Sequence, residues 1–264
     1  MKLLTLNTHS LMEKDYEKKL NTFVNAVVKH EIDVVALQEI MQPISARASS
    51  YPCINAGYIP LKEGNHALNV VRALLEKGEK YQLVWLGFKK SYDRFDEGLA
   101  ILTKETVEKV KAVNLTSFDE YENWRTRKTL GARIGSKWFF SVHMGWWESF
   151  AYEFNQLKES LPKNETCYLM GDFNSPASER DKGYDTVIKR GLYDTYIMAK
   201  NKDEGFTANT KIDGWHKENN EKIRIDYIFT TEKTEIKSSF VIFNGSNEDI
   251  VSDHFGILVD MEEK

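Results

Sequence analysis

Cysteine is nearly absent: Cys53 and Cys167 are the only two in 264 residues, and they lie far apart. Two such thiols cannot build a disulfide framework or a cysteine-spaced metal site. Both are expected to be reduced, with Cys167 buried in a strand. Proline is scarce, at five residues, and no Pro- or Gly-rich stretch marks a linker. One domain over residues 1–264 is therefore expected. No apolar run approaches a membrane span. The N-terminal Met1-Lys2-Leu3-Leu4-Thr5-Leu6 lacks the long apolar stretch of a secretory leader. A soluble, cytoplasmic protein with no membrane partner is the expectation. A basic stripe is missing too. Lys and Arg number 36 against 40 Asp and Glu, and the densest basic groupings are pairs such as Lys18-Lys19 and Lys89-Lys90. Duplex binding needs clustered cations, which disfavours a long polyanion as substrate.

What is present is a regular alternation of apolar runs and turns. Residues 2–6 and 33–37 read as buried strands. Between them, Tyr16, Leu20, Phe23, Val24, Val27 and Val28 recur at helical spacing, giving a β-α-β unit. Residues 41–64 read as loop, and Ala67–Leu75 as helix. Strands follow at 82–88, 98–102, 107–113, 130–134 and 137–143. A helix over 149–161 is expected to be capped by Ser149. A strand at 166–170, a helix at 184–190 and strands at 223–230, 235–242 and 255–259 complete the pattern. Hairpin spacing in the middle fits two packed sheets with helices outside better than a doubly wound parallel sheet.

Polar residues recur where these strands end. Asn7 closes the first, Gln38-Glu39 the second, His143 the strand at 137–143, and Asp253-His254 precedes the last. Gly171 is expected to let the chain leave its strand sharply, so that Asp172 and Asn174, two apart, point the same way. An Asx turn is the plainer reading of that segment. Asp226 sits inside an alternating strand, where a carboxylate is costly without a partner. His254 is the obvious one, and Glu97 could serve His143 likewise. Converging oxygens of this kind suit a hard divalent cation.

In this order the motifs Leu6-Asn7, Leu37-Gln38-Glu39, Glu97-Gly98, Ser141-Val142-His143, Gly171-Asp172-Phe173-Asn174, Arg224-Ile225-Asp226-Tyr227-Ile228 and Ser252-Asp253-His254 resemble the endonuclease/exonuclease/phosphatase superfamily. That resemblance implies an α+β, four-layer α/β/β/α sandwich of the DNase I-like type. It also implies a magnesium-dependent phosphoric-ester hydrolase, with manganese as the alternative ion. Glu39, Asn7 and Asp253 would hold metal. Asp172 would activate water or hold a second metal, and Asn174 would orient that water. His254 with Asp226, and His143 with Glu97, would face the phosphate. Arg127 would clamp a phosphate oxygen, with Arg125 competing for the role.

The substrate is narrowed further by aromatics near the site. Trp146 and Trp147 follow His143, and Trp215 lies in a polar stretch. Indole faces flanked by polar groups suit sugar rings, although core packing is the commoner fate of any one tryptophan. Two adjacent tryptophans on a strand cannot share one core, so one should reach the site. The stretches 92–98, 143–147 and 183–196 resemble a bacterial branch of the superfamily. Its members include sugar-phosphate phosphatases such as maltose 6′-phosphate phosphatase. Segment 43–78, with Asn65, His66 and Arg72, would then be a substrate-recognising insertion, although His66 reads equally well as a solvated helix-start residue. A small phosphorylated sugar is the expected partner. A nuclease and a catalytically silent binding module are the rivals.

Overall fold

The computed structural model describes residues 1–208 and 222–262. In chain order the elements are β1 (Lys2–Asn7), α1 (Tyr16–Lys29), β2 (Val34–Pro43), β3 (Ile54–Asn55), α2 (His66–Glu76), β4 (Gln82–Ser91), β5 (Phe95–Thr103), β6 (Val107–Asn114), β7 (Lys128–Ile134) and β8 (Lys137–His143). There follow α3 (Trp147–Ser160), β9 (Thr166–Asp172), α4 (Gly183–Lys189), β10 (Tyr193–Asp194), α5 (Thr195–Met198), β11 (Asn201–Lys202), β12 (Asp226–Thr230), β13 (Ile236–Ile242) and β14 (Gly256–Met261).

Two mixed sheets result. The first runs β11-β13-β14-β1-β2-β5-β4-β3 and the second β10-β12-β9-β8-β7-β6. β1 and β2 are parallel across α1, as the sequence pattern implied, and β8 and β9 are parallel across α3. Alternation along each strand divides its side chains between two layers. From the first sheet Leu3, Val34 and Ala36 face inward, meeting Phe139, Met170 and Ile228 of the second. Their neighbours Leu4, Val35 and Leu37 face outward onto Phe23 and Val27 of α1 and Val71 of α2. Phe140, Val142 and Leu169 of the second sheet face Phe154, Leu157 and Val187 of α3 and α4. Helices thus cover both outer faces of an α+β, four-layer sandwich, which explains strands that are apolar on both sides.

Several local readings need correction. Strand β9 does not end before Gly171; it continues through Asp172. Gly171 has φ 149°, and a Cβ there would lie 1.9 Å from the Val142 carbonyl oxygen. The glycine is required by close approach of β8, not by a departure of the chain. Helix α3 begins at Trp147 with Trp146 as N-cap, so Ser149 does not cap it; its hydroxyl donates to the Trp146 carbonyl. The two adjacent tryptophans therefore enter a helix and do not lie on a strand.

Segment 43–78 is built into the body of the fold. Asn65 caps α2 by accepting from Leu68 N at 3.2 Å, and Arg72 grips Glu63 with two donors. His66 is 7% exposed and meets the Tyr16 hydroxyl at 2.9 Å, between α1 and α2. None of these residues lines the pocket described below. The periodicity of α2 makes His66 a helix-packing residue, which corrects its expected place at the substrate.

Candidate active site

Register brings the key groups together. Across the second sheet, His143 on β8 pairs with Asp172 on β9, and Asp172 pairs with Asp226 on β12. Three neighbouring strands thus end at one level with a polar residue each. From the first sheet, Asn7 ends β1 and Glu39 lies in β2 at a bulge between Leu37 and Ile40. Glu39 has φ 53°, a left-handed backbone that is costly for a non-glycine residue. Such strain and bulging re-aim a side chain out of the pleat. The loop before β14 supplies Asp253 and His254.

Polar contacts lace the two sheets at this end. Gln38 donates to the Ser141 hydroxyl at 3.0 Å, and that hydroxyl donates to the Leu37 carbonyl at 2.9 Å. The Ser252 hydroxyl donates to the Asn7 carbonyl at 2.7 Å. These flanking residues carried no assigned role in the sequence; they fix the frame that holds the site.

The site itself is tightly connected. Asn7 Nδ2 donates to Glu39 at 2.9 Å and to Asp172 at 3.2 Å. His143 Nε2 lies 3.6 Å from Asp172 and 3.9 Å from Glu39. His254 Nδ1 lies 3.0 Å from Asp226, and its Nε2 lies 3.9 Å from Asp172. Asn174 departs from the expected extended geometry. With φ 48° its backbone N–H turns back to Asp172 Oδ1 at 2.7 Å, an Asx turn. Its amide is then fixed at both ends, donating to the Met144 carbonyl at 2.9 Å and accepting from the Trp146 indole N–H at 3.0 Å.

Electrostatics follow from burial and crowding. Burial pushes the Asp172 carboxyl up to about 7, with Asp226 adding and His254 opposing. Burial also raises Glu39, together with the charges of Glu97 and Asp253. For His254 burial works against the cation, but the Asp226 and Asp172 charges prevail and hold its pKa well above the usual imidazole range. His143 goes the other way: burial, then Arg127, Lys89 and His254, keep it neutral. Two histidines that face the same Asp172 oxygen are therefore shifted in opposite directions.

The groups open into a pocket of about 380 Å³, whose lining includes Glu39, Lys89, Arg127, Trp124, Trp146, Asn174 and Asp253. Trp124 and Trp146 stand at the rim with ring centroids 5.7 Å apart, 50% and 37% exposed. Arg127 lines the pocket, while exposed Arg125 lies over the Trp124 ring at 5.2 Å. Glu97, expected to orient His143, instead pairs with Lys89, its Oε1 2.9 Å from Nζ. Lys89 escaped the sequence reading because a lysine late in a strand looks like a solvated charge. A bulge between Gly87 and Lys89 turns it inward. His9 escaped as well: it meets Glu13 at 2.8 Å and, despite burial, is raised to about 9 by that bond and by the Asp253, Glu39 and Glu13 charges. Trp215 lies outside the described residues.

Among the described residues, two groups could hold a metal ion by ligand spacing: Asp172, Asp226 and His254, and separately His9, Glu13 and Asp253. In the first, the imidazole is committed to Asp226 and favoured as a cation, which makes it a poor ligand. Glu39, Asn7 and Asp253 offer oxygens without that conflict. Burial, with the charges of Glu97 and Asp253, raises Glu39, and a divalent cation would favour its ionised form.

Comparison with known proteins bears on the fold and the family. The chain is similar to an endonuclease/exonuclease/phosphatase family protein from Leptotrichia buccalis, at 29% identity and TM-score 0.90, each chain covered completely. It resembles in fold a mannosyl-6-phosphatase from Bacteroides thetaiotaomicron (17% identity, TM-score 0.68, both chains fully covered). A Neisseria 3′ phosphatase bound to a product DNA hairpin is similar in fold to the same degree (17%, 0.65, both fully covered). No curated protein matches the sequence. The profile of the Endonuclease/Exonuclease/phosphatase family matches residues 4–254, and the chain belongs to that family.

Proposed function

We propose that the protein is a divalent-metal-dependent phosphomonoesterase acting on a small sugar phosphate. The observation that carries the reading is the convergence of His143, Asp172 and His254 in one pocket of small-molecule size, with Asp226 held behind His254 at 3.0 Å. Glu39, Asn7 and Asp253 would hold magnesium or manganese, and Asp172 would activate the attacking water or hold a second ion. The ion would supply Lewis acidity and orient the phosphate.

The protein's own groups carry the remaining work. Asp172, raised toward neutrality by burial, is suited to take a proton from the attacking water. Asn174, fixed by Trp146 and Met144, orients that water and a phosphate oxygen. His254 presents a positive edge to the phosphate while Asp226 holds its tautomer, stabilising the charge that develops in the transition state. His143 keeps a neutral imidazole beside Asp172 for proton transfer.

Support for a sugar comes from the rim. The Trp124 and Trp146 rings offer apolar faces beside Asn174, as sugar-ring recognition needs, and the chain carries no basic stripe for a duplex. The mannosyl-6-phosphatase of the same fold acts on such a substrate by its description; the DNA-bound 3′ phosphatase keeps the nuclease reading as the rival. Purified protein with magnesium should release free phosphate from sugar phosphates and leave plasmid DNA intact, and chelation should abolish turnover. Nicked plasmid without phosphate release would reverse the ranking. Silence on both substrates would mean a binding protein.

A further inference from the structure

Two buried cations share one acceptor beside the pocket. Lys89 and Arg127 are each 5% exposed. Lys89 Nζ donates to the Trp124 carbonyl at 3.2 Å, and Arg127 Nη1 donates to the same oxygen at 2.9 Å. Like charges held this close repel, and burial makes the repulsion strong. Glu97 offsets one of them at 2.9 Å. Arg127 also donates from Nη1 to the Thr126 carbonyl at 3.2 Å, yet its Nε has no hydrogen-bond partner among the described residues. A buried donor left unmet is destabilising, so a ligand oxygen that meets it is favoured. Lys89 has three donors, and Glu97 and Trp124 take two of them.

We propose, resting on the phosphomonoesterase reading, that Lys89 and Arg127 form a receptor for the terminal phosphate oxygen that a monoester has and a diester lacks. A monoester dianion carries three non-bridging oxygens and nearly two negative charges. In a diester one of those oxygens bears a second carbon arm and the charge falls to one. His254, Asn174 and the acidic ligand set lie at Asp172. Lys89 and Arg127 line the same pocket, held together at the Trp124 carbonyl, and supply the positive charge that the extra oxygen requires. Glu97 acts through Lys89: it sets the ammonium in place on the bulge of β4 and keeps the empty receptor from carrying two uncompensated charges. This role explains why the acid found at Glu97 is not spent on His143.

The test compares p-nitrophenyl phosphate with bis(p-nitrophenyl) phosphate in saturating magnesium, with inorganic phosphate as competitive inhibitor. Lys89→Met combined with Glu97→Gln removes the ion pair without stranding either charge. Arg127→Lys is the second variant, keeping the charge and losing the planar Nε donor. The ratio of kcat/KM for monoester over diester should fall about 100-fold in the first variant, fall in the same direction in the second, and be matched by weaker inhibition by phosphate. A ratio that survives while both rates drop together would overturn the assignment and leave the monoesterase reading standing. Wild-type protein that cleaves the diester and spares the monoester would overturn both.

Discussion

Asp226 Oδ2 lies 3.0 Å from His254 Nδ1, and both side chains are almost wholly buried. An isolated carboxylate or imidazolium would be costly at that depth; together they are mutually compensating. The pairing leaves Nε2 of His254 facing Asp172. Asp226→Asn should keep the side-chain shape and remove the charge that sustains the cation. We expect kcat to fall roughly 10²–10³-fold with a far-UV spectrum like wild type. Turnover within a few-fold of wild type would exclude the assigned role.

Trp146 joins the rim to the chemistry through its indole N–H on Asn174 Oδ1. Trp146→Phe preserves an aromatic face and deletes that donor. The expected result is a kcat lowered about 10-fold, the scale of one lost hydrogen bond in free energy, with little change in KM. Trp124→Ala should do the reverse, raising KM more than it lowers kcat. Steady-state kinetics on one sugar phosphate separates the two.

Gly171→Ala tests the packing that places Asp172. The added Cβ meets the Val142 carbonyl at 1.9 Å, a backbone atom that cannot rotate away. Destabilisation of about 3 kcal/mol or more is expected, beyond the common range for point substitutions. Urea denaturation measures it; an unchanged midpoint would show that β8 and β9 can separate freely.

His66 gives a pH signature in stability. Burial lowers its pKa from 6.5 to about 4. The unfolded chain therefore binds a proton between these values while the folded chain does not. Stability rises with pH wherever the unfolded state binds more protons, so this contribution is intact above 6.5 and is lost as pH falls toward 4. The shift corresponds to about 3 kcal/mol. His66→Gln removes the titrating group, and wild type should lose that much more stability than the variant over the window. Parallel profiles would contradict it.

Much of this molecule is legible in one dimension. The alternation Leu3-Leu4 and Val34-Val35, and the helical spacing of Phe23 and Val27, set strands, a helix and their buried faces, because local period alone decides which side of an element is apolar. Asn7, Glu39, His143, Asp172 and Asp253-His254 are each a weak signal, a polar group at the end of a buried strand; it is their order along the chain, which resembles a known superfamily, that singles them out. Tertiary structure decided the rest. Lys89 reads as a surface charge until a bulge on β4 turns it toward Glu97. Arg127 and Arg125 are equivalent in sequence, and only the path of the chain between β6 and β7 buries one and leaves the other over Trp124. His66 looked like a site residue and is packed against Tyr16. Register, bulges and left-handed residues such as Glu39 and Asn174 depend on contacts distant in the chain, and a local pattern carries no record of those.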